Sequence, residues 1–484
     1  MITPPPSRAG SFRRISLTVL FALVFAGCAQ LPPSSESTIT PLSAEKLKSD
    51  ESFKEVAAIE WPKGQWWKDY GDEQLNALIE EALRDSPDMA LAIARLHKAQ
   101  ASSDIASAAL RPEVSANASP TEQKQSENYL TPKAMTPEGW QDYGRATLDF
   151  SWEIDFFGKN RAALAAATSE LDARQADMAQ ARLTLVSSIA AGYAELARLY
   201  AERDTAEAAF DVRNTSAKLF AERFDNGLET RGSVKQAEAR AASAQGDLLQ
   251  LDEQISLQCN RLAALLGAGP DRGRSITRPQ INYDAPPALP TNLTADLLGR
   301  RPDVVSARLV AEAQAQRIKQ KKAEFYPNVN LTGFIGFQSL GLDMLTKSGS
   351  LVGSIGPAIS LPIFNGGRLR GELRSSEAGY EEAVATYNQT LTQALQEVAN
   401  AYLSKKMLEP RLQTANQAVD AARDAYKILM RRYRGGLSTY LEVLSAQDTL
   451  LTNLRSLTDL QARAFTLDVD LKRALGGGYE ANNS

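Results

Sequence analysis

Apolar residues recur every seven positions through the middle of the chain. Leu164, Leu171, Met178 and Leu185 form one series, which resumes at Leu199. Val234, Ala241, Leu248, Ile255 and Leu262 form a second. Adding 209 to these numbers gives Leu373, Tyr380, Tyr387, Ala394 and Leu408, then Val443, Leu450, Leu457, Ala464 and Leu471. A sustained seven-residue seam predicts left-handed coiled-coil packing. Long helices are expected over 159–224 and 368–433, with partners over 229–266 and 438–475. A helix of roughly 66 residues reaches about 100 Å, several times what a small domain buries. Shorter helices are expected over 75–110 and 295–325.

Between these helices the period changes to two. Ala146, Leu148, Phe150, Trp152 and Ile154 alternate with Thr147, Asp149, Ser151, Glu153 and Asp155, as in a half-buried strand. Val329, Leu331, Gly333, Ile335 and Phe337 repeat this less cleanly. Segments 112–155 and 327–363 therefore read as β-hairpins. Four strands cannot close a barrel, and lipid does not tolerate an open edge. Either they form small soluble sheets, or several chains build one barrel. Two chains would give a filled barrel of eight strands, and three would give twelve and room for a pore.

The chain contains itself twice. Arg223-Phe224-Asp225-Asn226-Gly227-Leu228-Glu229-Thr230 returns as Arg432-Tyr433-Arg434-Gly435-Gly436-Leu437-Ser438-Thr439. Pro87-Asp88 and Pro112 are matched by Pro302-Asp303 and Pro327. The plan is helix, β-segment, long helix, turn and helix, used twice. The expected divisions are a first repeat over 61–267, a connector over 268–294, a second repeat over 295–476 and a tail over 477–484.

Composition narrows the class. With 23% charged residues and a net charge of −4, nothing suggests a nucleic-acid partner. Arg8, Arg13 and Arg14 precede an apolar run from Ile15 to Phe25, then Ala26-Gly27-Cys28. A basic stretch, a short apolar run and small residues predict a signal peptide over 1–27. Residues 28–60, rich in Ser and Pro, read as a tether. If Cys28 is consumed by acylation, Cys259 has no disulfide partner, and its apolar neighbours predict a buried thiol. A single histidine, His97, speaks against a His-based metal site or proton relay and reads as structural. No Gly-rich phosphate loop, metal-ligand spacing or triad is present, so neither catalysis nor a cofactor is expected.

Several motifs together resemble the outer-membrane factor family, the TolC-like channels of efflux and secretion systems. The resemblance is to its lipoprotein (NodT-like) branch. Trp66-Trp67-Lys68-Asp69-Tyr70-Gly71-Asp72 resembles the opening motif, and Trp152 to Arg161 the strand-to-helix junction. Leu297 to Val304, Phe325-Tyr326-Pro327 and Ala474-Leu475-Gly476-Gly477-Gly478 resemble further motifs in order. The Ala-Gly-Cys28 sequence resembles a lipobox, which implies acylation of Cys28 and sorting to the outer membrane. The family implies a mainly α fold with β: a long α-helical coiled-coil barrel plus transmembrane β-barrel strands, completed by trimerisation. It also implies a periplasmic adaptor and an inner-membrane RND-type transporter as partners.

The resemblance implies working residues as well. Arg223, Phe224, Gly227, Leu228 and Thr230, with Arg432, Tyr433, Gly436, Leu437 and Thr439, would meet adaptor hairpin tips. Tyr433 matches a gating aromatic, and Glu442 falls at a lumen-facing acid. Ser438 and Ser233 replace a basic and an acidic gate residue, so another contact, with Arg434 a candidate, would hold the closed state. Alternation places Thr147, Asp149, Ser151 and Glu153 toward barrel water. An efflux duct is the expected function. A duct for type I-like protein secretion and a non-channel periplasmic scaffold are the alternatives.

Overall fold

The computed structural model describes residues 39–43, 46–47, 58–128, 132–280, 289–290 and 293–481. The expected signal peptide, Cys28 and most of the expected tether lie outside them. In chain order the elements are β1 (Ala58–Ile59), a 3-10 turn at Trp66–Tyr70, α1 (Glu73–Asp85), α2 (Pro87–Ala108), β2 (Glu113–Gln123), β3 (Gln141–Ile154), α3 (Lys159–Asp225), α4 (Arg231–Leu265) and α5 (Pro270–Gly273). The plan then recurs with β4 (Leu289–Pro290), α6 (Leu293–Arg300), α7 (Pro302–Ala323), β5 (Asn328–Leu340), β6 (Leu351–Ser360), α8 (Arg368–Arg434) and α9 (Tyr440–Ala474). α3 and α8 each run 67 residues, and α4 and α9 each run 35. No position of the seven-residue seams is exposed, which is what packing along those seams requires.

Two expected helices are each split in two. Instead of 75–110, α1 ends at Asp85 and α2 begins at Pro87, with Ser86 extended at φ −65°, ψ 132°. Instead of 295–325, α6 ends at Arg300 and α7 begins at Pro302. Proline drives the preceding residue out of the helical region and suits the first position of a new helix. Pro410, by contrast, lies inside α8 without ending it.

The chain divides into two units. One holds 39–40, 97–173 and 308–386. Its centre is an antiparallel sheet in the order β2-β3-β5-β6. Residues directly opposite across a ladder share a face. Val114, Phe150, Gly333 and Ile355 form one row, and Ala116, Leu148, Ile335 and Gly353 the next. The opposite face carries Asn117 and Thr147 in one row, then Ser115, Asp149, Phe334 and Ser354. One face is thus apolar across all four strands, yet Ile355 is 76% exposed, Val114 66% and Leu148 54%. On β3 this face runs from Gly144 to Ile154, about 33 Å along the strand at ~3.3 Å per residue. At the usual 35–45° tilt that spans about 25 Å, the height of an outer-membrane barrel's apolar band. Among the described residues, the outer edges of β2 and β6 have no strand partner.

The second unit holds 41–96, 174–307 and 387–481. Its core packs Trp66, Trp67 and Tyr70 against Leu75, Leu78 and Ile79 of α1, Ile189, Tyr193 and Leu196 of α3, Leu262 of α4 and Phe465 of α9. β1 and β4 pair in parallel, and Leu289 of β4 packs with Leu297, Val398 and Leu471 in a separate cluster. Gly476, Gly477 and Gly478 all take positive φ. A Cβ on Gly476 would stand 2.0 Å from Arg300 O, one on Gly477 2.3 Å from a Leu183 methyl, and one on Gly478 2.3 Å from Lys63 C. Positive φ favours glycine at all three, and at Gly476 and Gly478 close backbone leaves no room for a Cβ.

A buried ion pair fastens this core. Lys405 Nζ lies 2.7 Å from Asp468 Oδ1. Tyr70 donates its hydroxyl to Asp468 Oδ2 at 2.8 Å, and Lys472 approaches the same oxygen at 3.4 Å. The network joins α8 and α9 to the Trp66–Tyr70 turn. Removing one partner of a buried pair strands the other charge at a cost of about 3–5 kcal/mol, whereas an apolar pair of similar volume is near neutral. Asp468→Ala should therefore lower unfolding stability by that amount, and Lys405→Met with Asp468→Leu should restore most of it. Denaturant unfolding of the purified protein checks this, and a loss below ~1 kcal/mol for the single variant would mean that the pair is not effectively desolvated.

Candidate functional site

The duplicated turns fold alike. α3 closes with Gly227 at φ 74°, its N–H donating to Phe224 O at 2.9 Å, while Leu228 N–H donates to Arg223 O at 2.8 Å. α8 closes with Gly436 at φ 73°, donating to Tyr433 O at 3.0 Å, while Leu437 N–H donates to Arg432 O at 2.8 Å. This is the two-bond cap in which a left-handed residue turns the chain out of a helix, and only glycine adopts it without strain. Thr230 then caps α4, accepting the Ser233 N–H at 3.1 Å. Thr439 caps α9 in a reciprocal box with Glu442, whose carboxylate accepts the Thr439 N–H at 3.1 Å.

Capping thus accounts for Gly227, Gly436, Thr230 and Thr439. It does not account for Leu228 and Leu437, which stand 65% and 72% exposed, or for exposed Phe224. An apolar side chain presented at each tip is what a partner surface would use.

The gate candidates divide. Ser438 and Glu442 come together: the hydroxyl donates to the carboxylate. That bond, with the Thr439 N–H, holds the Glu442 carboxyl below its usual range. Ser233 belongs to the Thr230 cap and bonds its hydroxyl at 2.9 Å. Arg434 is exposed and makes no hydrogen bond or ion pair among the described residues, so within one chain it holds nothing closed.

Tyr433 sits at a junction of the two repeats. Its ring stacks with Phe220 of α3 at 6.3 Å between centroids and meets Tyr440 of α9 at 5.7 Å. Arg223 lies over the same ring at 5.6 Å. The arginine of one turn therefore meets the aromatic of the other. Burial raises the phenol of Tyr433, and its hydroxyl has no partner among the described residues.

Sequence reasoning missed the charged seam above this cluster. Asp448 of α9 binds Arg213 of α3 at 2.9 Å and Arg240 of α4 at 3.2 Å. Arg455 faces Asp247 of α4 at 3.4 Å, and Asp459 faces Arg198 of α3 at 3.2 Å. Spacings of seven and four put 448, 455 and 459 on one face of α9. The signal was present: Arg240 and Asp247 stand 208 residues before Asp448 and Arg455 with opposite charges. That spacing is one short of the 209-residue repeat, so the opposite charges do not stand at equivalent positions of the two repeats.

In the sheet, Thr147, Asp149, Ser151 and Glu153 fall on the polar face. Asp149 Oδ2 accepts from Thr147 and Asn117, each at 2.8 Å, and Glu153 pairs with Lys159 at 2.5 Å. Cys259 is buried, and burial raises its thiol. His97 is exposed on α2. Among the described residues no cluster of His, Cys, Asp or Glu is placed for a metal, and no helix is long and apolar enough to cross a membrane.

Residues 78–268 and 293–477 match the family described as outer membrane efflux protein. The fusaric acid resistance protein FusA of Burkholderia cepacia is 34% identical over 77% of this chain and 71% of its own. The multidrug resistance outer membrane protein MdtP of an Escherichia coli O6:H1 strain is 30% identical over 95% of both. Among solved structures, the outer membrane protein VceC of Vibrio cholerae superposes with a TM-score of 0.82 at 51% identity, over 87% of this chain and all of that one. The Campylobacter jejuni channel CmeC, at 24% identity, shares the fold with a TM-score of 0.84 over 94% of this chain and 95% of its own. Members of this family are outer-membrane channels and not enzymes, its solved structures combine a helical barrel with a β-domain, and this chain belongs to the outer membrane efflux protein family.

Proposed function

We propose that this protein is the exit duct of a tripartite efflux pump, passively conducting small molecules from periplasm to exterior. Three copies would pool their sheets into a twelve-stranded barrel in the outer membrane and their helices into a periplasmic tunnel. The observation that carries this reading is the four-stranded sheet with one exposed apolar face and two unpaired edges. Neither feature suits water, and both are resolved by closure with like sheets in lipid. Relatives named for multidrug and fusaric acid resistance support small-molecule cargo over secreted protein. Acylation of Cys28, outside the described residues, would add a lipid anchor.

The twin tips would receive a periplasmic adaptor, with an inner-membrane RND-type transporter supplying the energy. Leu228, Leu437 and Phe224 are the exposed apolar contacts, while Arg223, Arg432 and the capped turns fix their position. Glu442 would face the lumen beside Ser438, and Tyr433 would pack at the closed end. The contact holding each chain's second tip against its first would be the Asp448 seam, with Arg434 free to meet another chain. Thr147, Asp149, Ser151 and Glu153 would line the barrel's water.

Four outcomes test these assignments. A lysine replacing Phe150 on the lipid face should cost about 2–4 kcal/mol and reduce assembly in the outer membrane; normal assembly of Phe150→Lys would place that face elsewhere. Photocrosslinkers at Asp225 and Arg434 should capture a resistance-type adaptor in cells. Capture of a protein-secretion adaptor would favour the secretion duct, and no adaptor the scaffold. Asp448→Asn should raise the open probability of the reconstituted channel, most visibly at low salt where exposed pairs are least screened, and Glu442→Gln should weaken its cation preference. Unchanged gating or selectivity would remove the respective residue from the tip assignments.

A further inference from the structure

Two features of the strand-to-helix junctions in the sheet-bearing unit remain without a role. The first is charge. Neither α3 nor α8 has an acidic residue in its first turn. Their first two turns carry Lys159 and Arg161, and Arg368, Arg370 and Arg374. A helix N-terminus is already the positive end of its dipole, so bases there oppose it. α7 arrives at the same level with Arg317, Lys319, Lys321 and Lys322. Across 159–165, 317–323 and 368–374, nine bases stand against one acid, Glu372. Nearby acids pair with Lys159, Arg161, Arg317, Lys321 and Arg368. Lys319, Lys322, Arg370 and Arg374 have no acidic partner among the described residues.

The second is apolar exposure. The chain leaves β3 through Phe156, 64% exposed, and leaves β6 through Ile363 and Phe364, 78% and 92% exposed. Both strands end shortly before these residues, at Ile154 and Ser360. Exposed apolar side chains therefore follow the apolar strands and stand just ahead of the bases.

The geometry points to a band that binds the phosphate groups of the phospholipid leaflet on the helical side of the barrel. Phe156, Ile363 and Phe364 enter the edge of the hydrocarbon, and the bases beyond them meet lipid phosphates. Arg374 lies six residues into α8, about 9 Å along its axis at ~1.5 Å per residue, comparable with the ~5–8 Å of a headgroup layer. Helix N-termini that bind anions tolerate neighbouring bases, because the phosphate offsets both charges. The inference rests on the membrane-wall reading of the sheet.

The test compares the parent with Lys319→Gln/Lys322→Gln/Arg370→Gln/Arg374→Gln in nanodiscs of phosphatidylglycerol and phosphatidylcholine in equal parts. Native mass spectrometry counts the lipids retained per complex. The parent should enrich phosphatidylglycerol, and the variant should lose at least about fivefold of that enrichment, since each base near an anionic surface attracts it severalfold. Ion selectivity in planar bilayers should be unchanged. Undiminished enrichment in the variant would overturn the band, as would shifted ion selectivity, which would place the bases on the duct. A parent that does not insert into nanodiscs would instead discard the membrane wall itself. Phe364→Ser is the second probe: it should lower insertion depth, read by quenching of a fluorophore at position 363, and unchanged quenching would also count against the band.

Discussion

A sheet with one apolar face and two open edges constrains everything else in this protein. Backbone groups on an edge strand have no water to turn to inside a bilayer, so the edges must pair. The face is apolar through β2, β3, β5 and β6 in register, and its apolar run on β3 matches the thickness it would cross. One chain cannot satisfy these conditions alone. That shortage of strands calls for several chains, and the proposed trimer is the closure that leaves room for a pore.

The duplication makes such an assembly economical and also marks where it is asymmetric. The two turns share their caps down to hydrogen-bond distances. Around them the repeats diverge. Phe220 and Arg223 of the first repeat receive Tyr433 and Tyr440 of the second, and α9 carries a charged face toward α3 and α4. Exposed ion pairs contribute little individually and are screened by salt. A seam built from them suits parts that would separate on the proposed opening, in contrast to the Trp66–Tyr70 core, where Lys405 and Asp468 are desolvated.

The legible parts of the fold were those written as a period. Seven-residue seams located α3, α4, α8 and α9 to within a few residues, and the alternation through Ala146 to Ile154 gave β3 and its two faces. Helix breaks at Ser86 and Arg301 were not read, although Pro87 and Pro302 mark them, because the apolar pattern continues across both. At the tips, the glycine and threonine roles were readable from capping chemistry. The Asp448 seam is written in the chain only as opposite charges at Arg240 and Asp448 and at Asp247 and Arg455, and packing alone decides which helices they join. Gly476-Gly477-Gly478 could be recognised as a motif, but its reason, three close approaches by Arg300, Leu183 and Lys63, is visible only in three dimensions.

Closure of several sheets into one wall is tested most directly at the edges. Cysteine pairs introduced singly along β2 and β6, at solvent-accessible positions of facing rows, should form crosslinks between chains in outer-membrane preparations. Electrophoresis should then resolve dimers and trimers and nothing larger. Crosslinks that form only within one chain, or a chain that remains monomeric and soluble with its apolar face covered, would contradict a shared barrel.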